Sequence, residues 1–235
     1  MTVKAHSKPM PKAAVGRGGA PIARNRDGSP VTFRMRVTFQ KSGRAAMLSH
    51  LEIARAMERV VRRAGLPYAI TSGFSPHMRI AFGSALPVGV GGLCEILDVL
   101  LTERVDCAQA LGAMQASTSP ALMVTACEYI GAKDPAASNA FPFSSYQVVF
   151  NTELPCSAQD LPIPETITVI RKKKEKVLCV RDYLQPDWVV KGEELYFVLK
   201  SGENGNLRPD VLVRAIIADM EGVKVQSITR MRQFC

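Results

Sequence analysis

Between Val31 and Gln40 apolar and polar positions alternate, with Phe33, Met35, Val37 and Phe39 separated by Arg34, Arg36 and Thr38. A period of two predicts a strand with one buried face, because successive side chains point to opposite sides. The period then changes. Leu51, Ala54, Met57, Val60, Val61 and Ala64 recur at helical spacing, while Arg55, Arg59, Arg62 and Arg63 fall mostly on the other faces. Just ahead of that stripe, Ser49 and Glu52 have the spacing of a capping box, in which each side chain takes the other residue's backbone N–H. Gly65 suits a left-handed exit and Pro67 blocks continuation, so a helix is expected over 49–64.

Tyr68–Ile70 and Met78–Phe82 read as short extended pieces around the polar loop Ser72–His77. Leu86–Gly92 reads as a flexible connection and Cys94–Leu101 as a strand. Asp106 and Gln109 repeat the capping spacing and open a helix over 106–116, after which Leu122–Tyr129 returns as a strand. The order β-α-β-β-α-β is that of a ferredoxin-like unit, with two helices on one face of an antiparallel sheet. A second set of strands is expected at Tyr146–Asn151, Thr166–Arg171, Val177–Arg181, Leu195–Leu199 and Val223–Met231. Pro209 opens a helix carrying Leu212, Ala215 and Ile216 and ending at Gly222. Pro155, Pro162 and Pro164 interrupt the place where this half would have its first helix.

The expected fold class is therefore α+β, built of tandem ferredoxin-like units, the second degenerate. Residues 1–30 form a basic tail without apolar periodicity, expected to be disordered because it cannot offset its ordering entropy by burial. The first unit spans 31–130, a linker 131–144, and the second unit 145–235.

Charge changes this picture more than composition does. The formal charge of +9 is uneven: residues 1–36 carry eight basic and one acidic residue, 37–90 seven and two, and 91–235 fifteen and eighteen. A positive first half suggests an anionic partner, of which RNA is the commonest, although a tail alone serves solubility equally well. The six cysteines are scattered, with no CxxC or CxxxCxxC pattern, and read as free thiols. No apolar run approaches membrane length and the first residues lack a signal-peptide core, so a cytoplasmic protein with no membrane partner is expected.

Three segments carry a resemblance: Phe39–Glu52, Arg62–Tyr68 and Ser72–His77. They are similar to a radical-SAM-associated bacterial family of unknown function, found fused to cobalamin-type radical-SAM proteins or as a separate chain. Continuous from about Val37 to Glu103, the similarity returns near Leu207. Ser75 stands where that family usually has Asn. The resemblance implies a radical-SAM enzyme as partner, on another chain because this sequence lacks the CxxxCxxC triad.

Candidate chemistry concentrates in the first unit. His50 opens a capped helix, whose free N–H groups and dipole favour an anion. His77 lies in a Gly/Pro loop. With Lys41, Arg44, Ser49, Ser75 and Arg79 these residues form a candidate anion or RNA site. Alternatively, both imidazoles simply bond loop backbone. Two histidines without carboxylate ligands are a poor metal site, and no cofactor motif is present: Gly89–Gly92 is followed by no GK[ST], and Ser72–Ser75 is no GxSxG. The basic run Arg171–Lys176 reads as a hairpin tip. The leading function is a non-catalytic RNA-binding or substrate-presenting accessory. A metal-independent endoribonuclease using His50 or His77, and a protein–protein scaffold, are the alternatives.

Overall fold

The structure, a computed structural model, describes residues 31–72, 74–171, 174–201 and 205–235. The tail 1–30, expected to be disordered, lies outside the described residues, as do Lys172 and Lys173 of the basic run.

In the first half, β1 (Phe33–Lys41), α1 (His50–Arg63), β2 (Ile80–Phe82), β3 (Val90–Leu101), α2 (Cys107–Gln115) and β4 (Val124–Ile130) follow in order. The strands pair antiparallel as β4-β1-β3, with β2 on the C-terminal half of β3. Met35, Val37 and Phe39 of β1 and Leu97, Val99 and Leu101 of β3 pack against Ile53, Met57, Val60 and Val61 of α1 and Ala110 and Met114 of α2. Each such large side chain contributes about 1.5–3 kcal/mol.

The second half adds β5 (Phe143–Phe150), the hairpin β6 (Thr166–Arg171) and β7 (Lys174–Cys179), then β8 (Val189–Lys191), β9 (Glu194–Lys200), α3 (Pro209–Ile216) and β10 (Val225–Phe234). Tyr146, Val148 and Phe150 meet Leu195, Phe197 and Leu199 and the α3 residues Leu212, Val213 and Ile216 in a second core. The helix missing from this half is replaced by a single 3-10 turn at Ala158–Asp160, in the region of the three prolines.

Tandem units imply one antiparallel sheet in each half; among the described residues a single eight-stranded mixed sheet, in the order β4-β1-β3-β10-β5-β9-β8 with β2 beside β3, spans both halves, and β6–β7 forms a separate two-stranded sheet. The join is β10. It runs antiparallel to β5 and parallel to β3, aligning Ile228–Arg230 with Val90–Gly92. The last three residues of the Leu86–Gly92 segment read as a flexible connection are therefore the first part of β3. Twelve residues make β3 long enough to carry β2 at one end and β10 at the other.

The opposite face of β1 is not left to solvent. Arg36 makes a bidentate pair with Asp98 (2.8 and 3.0 Å), and both are buried. Asp98 also accepts the Ala137 N–H at 3.0 Å, while Arg36 donates to the Pro135 carbonyl at 2.9 Å and stacks over Phe141. Pro135, Ala137 and Phe141, within the 131–144 segment expected as a linker, are thus held by charges that an alternating strand pattern assigns to solvent.

Candidate functional site

The capping box at α1 forms as its spacing requires. The Ser49 N–H donates to Glu52 Oε2 at 2.8 Å, and the Glu52 N–H donates to Ser49 Oγ at 3.4 Å. The Ser49 hydroxyl and N–H hold the Glu52 carboxyl below its ordinary pKa. With its start fixed, α1 turns Ile53, Met57, Val60 and Val61 inward. Leu51, expected in the apolar stripe, is exposed instead and Ile53 takes its place.

The outward face carries Arg55, Arg59, Arg62 and Arg63, all exposed. They span about 12 Å of helix at 1.5 Å per residue. Glu58 lies 3.7 Å from Arg62, a surface pair that leaves the face strongly positive. The Arg62 guanidinium also lies 6.0 Å from the centre of the Tyr68 ring. From Tyr68 the chain runs directly into the loop around Ser72–His77.

That loop is closed at its base. The Thr71 N–H donates to the His77 carbonyl at 2.8 Å, and the His77 N–H to Thr71 Oγ1 at 3.0 Å. Next to this pair, Ile70 bridges Met78, whose side chain is buried in the first core. At the other extreme Phe74 is fully exposed, at 111% of the reference area for its residue type. An aromatic ring held bare to water is an unusual use of a large apolar side chain. Ser75, His77 and Arg79 are exposed on the same loop and the chain leaving it.

A second charged site lies at the join of the two halves. Arg230 is fully buried; its Nε donates to Glu95 Oε1 at 2.9 Å, and Nη2 donates to Glu95 Oε2 and, at 2.7 Å, to the Ser84 carbonyl. Gly92, directly opposite Arg230 in the parallel pairing, makes this possible. A Cβ there would stand 2.2 Å from Glu95 Oε1 and 2.9 Å from Leu86 Cδ1. Lys41, also buried, donates to the Pro87 carbonyl at 3.3 Å. Burial pushes its amine below the ordinary lysine value, the Glu95 charge opposes this, and the Arg230 charge adds to it. Lys41, Glu95 and His50 line a small cavity with Phe39, Ile53 and Phe82, in which about 20 Å³ is available to a water-sized group. The exposed His50 ring meets Phe82 edge-on, with centroids 5.4 Å apart.

Of the expected anion-site residues, Lys41 and His50 line the small first-half cavity, and Ser49 caps the helix that His50 opens. Ser75, His77 and Arg79 belong to the exposed loop and its exit, and Arg44 to an exposed 3-10 turn at Gly43–Met47; none of the four is among the cavity-lining residues. Sequence reasoning passed over Phe74, Glu95 and Arg230. Glu95 offered a signal, a charge between Cys94 and Ile96 in a mostly apolar strand, whereas Arg230 lies in a polar strand with Arg232 and offered none. Among the described residues, no group of three His, Cys, Asp or Glu could hold a metal ion, and no helix is long and apolar enough to cross a membrane.

Fold and sites define an α+β protein of one mixed sheet and three described helices, with a basic helix face and a buried charge cluster at its join. The chain belongs to the bacterial family described as "Uncharacterized protein conserved in bacteria (DUF2344)", whose family model matches residues 34–209. No curated protein matches it. Two solved structures are similar in part. "Structure of H/ACA RNP bound to a substrate RNA containing 2'-deoxyuridine" is 13% identical with a TM-score of 0.39, covering 85% of this chain and 47% of that one. "Crystal Structure of a Cbf5-Nop10-Gar1 Complex" is 10% identical with a TM-score of 0.43, covering 94% of this chain and 55% of that one. The chain thus spans about half the length of each.

Proposed function

We propose that this protein is a non-catalytic RNA-binding partner that presents its bound strand to a separate radical-SAM enzyme. The carrying observation is the exposed arginine face of α1 leading into a loop that holds Phe74 bare to solvent. Arginines meet phosphates without regard to sequence, and an exposed ring offers a platform on which a base stacks. Arg44, Ser75, His77 and Arg79 extend the contact around the same half. In this reading residues 31–130 act as a ferredoxin-like platform, and the basic tail adds nonspecific affinity. The enzyme partner follows from the sequence resemblance alone.

Fluorescence anisotropy with a labelled oligoribonucleotide tests the RNA contact. Phe74→Ala should weaken binding by about 5- to 150-fold, the equivalent of about 1–3 kcal/mol per stacked base. Because Phe74 is already in water, its melting temperature should not change. Equal affinity in wild type and variant would remove the loop from the site. Anaerobic co-purification under RNA-preserving conditions tests the partner: an iron–sulfur protein should be recovered with the chain, and recovery of RNA alone would leave an RNA-binding protein without that enzyme.

A further inference from the structure

We infer that the small first-half cavity beside the buried Arg230–Glu95 pair takes the carboxylate of a small organic acid, with Lys41 as its binding cation. The inference is independent of the RNA reading, because the cavity is lined by none of the α1 arginines and not by Phe74.

Charge balance is the first argument. Arg230 and Glu95 satisfy each other in a bidentate pair, and Arg230 has a further acceptor in the Ser84 carbonyl. Lys41 is left with the Pro87 carbonyl, at the long distance of 3.3 Å. An ammonium has three donors, and its burial is unfavourable unless an anion or several acceptors face it. The attraction of Glu95 for the ammonium exceeds the repulsion from Arg230, but the three buried groups together still carry one unmatched positive charge. Among the described residues lining the cavity, Glu95 is the one carboxylate, and it is committed to Arg230. An incoming anion supplies what Lys41 lacks.

The size and the walls select the kind of anion. About 20 Å³ accepts one water-sized group, such as a single carboxylate oxygen. A whole phosphate, with four oxygens to satisfy, is poorly served by one lysine. Phe39, Ile53, Phe82 and Leu86 supply apolar walls, and His50 is an exposed member of the lining, set edge-on to Phe82. A short apolar tail lying along Phe82 and His50 suits these walls, and a neutral or charged imidazole can donate to the second carboxylate oxygen. Gly83 holds the lip close: a Cβ there would be 3.3 Å from the Ile96 carbonyl.

Isobutyrate, titrated at constant ionic strength against the full chain, is the probe. The chain has three histidines, so their imidazole resonances separate the site from the bulk. The His50 signal should move saturably with a half-saturation of about 1–10 mM, as expected of so small a ligand, while His77 should stay in place. In the same titration the Cε resonance of Lys41, followed in selectively labelled wild-type protein, should move with the same midpoint. Lys41→Met should abolish the saturable shift. If that variant does not fold, the wild-type Lys41 and His50 midpoints still decide. Non-saturating or parallel drift of all histidines overturns the proposal. So does an unchanged titration in a folded Lys41→Met, or tighter saturation by inorganic phosphate than by isobutyrate.

Discussion

At position 92 one carbon decides whether the join can form. An added Cβ would meet Glu95 Oε1 at 2.2 Å, and Glu95 cannot retreat without releasing Arg230. Gly92→Ala is therefore expected to lose about 1–3 kcal/mol by overpacking, read from the denaturant midpoint. Glu95→Gln is the complementary test: it leaves Arg230 buried without its counter-charge and should cost about 3–5 kcal/mol. A loss below 1 kcal/mol would mean that water reaches the guanidinium. Thiol chemistry gives a third residue-level check. Burial pushes the Cys127 thiol up to about 11, whereas Cys235 is exposed. At pH 8 only about one Cys127 in a thousand is the reactive thiolate, so mass mapping of alkylation should find it modified well after Cys235. At this scale the local pairs were legible and the distant ones were not. Ser49 and Glu52 are three residues apart, so their spacing alone announces the cap. Arg230 and Glu95 are 135 apart, and only the sheet brings them together.

Elements were legible where one period dominated. α1 and β1 lie close to where alternation and capping put them, and β6 and β7 pair antiparallel up to Arg171 and Lys174. The errors have physical causes. Leu51 sits in the first turn, where an apolar side chain can still point past the core, so Ile53 supplies the contact. The helix expected to reach Gly222 ends at Ile216, and the chain continues in turns stitched by the Met220 N–H on the Ile217 carbonyl. β8 has three residues, too few to show a period. Since the α1 cap is formed by Ser49 Oγ, Ser49→Ala should cost about 1 kcal/mol in chemical denaturation. An unchanged midpoint would mean that water replaces the hydroxyl without loss.

For the whole molecule, the α+β class was readable from element order, but the number of sheets was not. Strand order depends on which edges meet, and the parallel pairing of β10 with β3 leaves no mark in either strand's pattern. Because β10 ties both cores together, the chain should unfold as one unit. Trp188 packs against the second core and reports that half, whereas far-ultraviolet circular dichroism reports both. Coincident transitions are expected, and separated ones would show two independent halves.

The function claimed for this architecture is RNA retention on the first half, and salt dependence measures it directly. If six phosphates are contacted, the slope of log affinity against log salt should be about −4 to −5. Deleting residues 1–30 should flatten that slope while leaving measurable binding. In that shortened chain, reversing Arg55, Arg59 and Arg62 to Glu should remove at least about three further contacts from the slope. A wild-type chain that fails to bind RNA at low salt, or a reversed chain that binds with an unchanged slope, would contradict the assignment of the arginine face as the RNA surface.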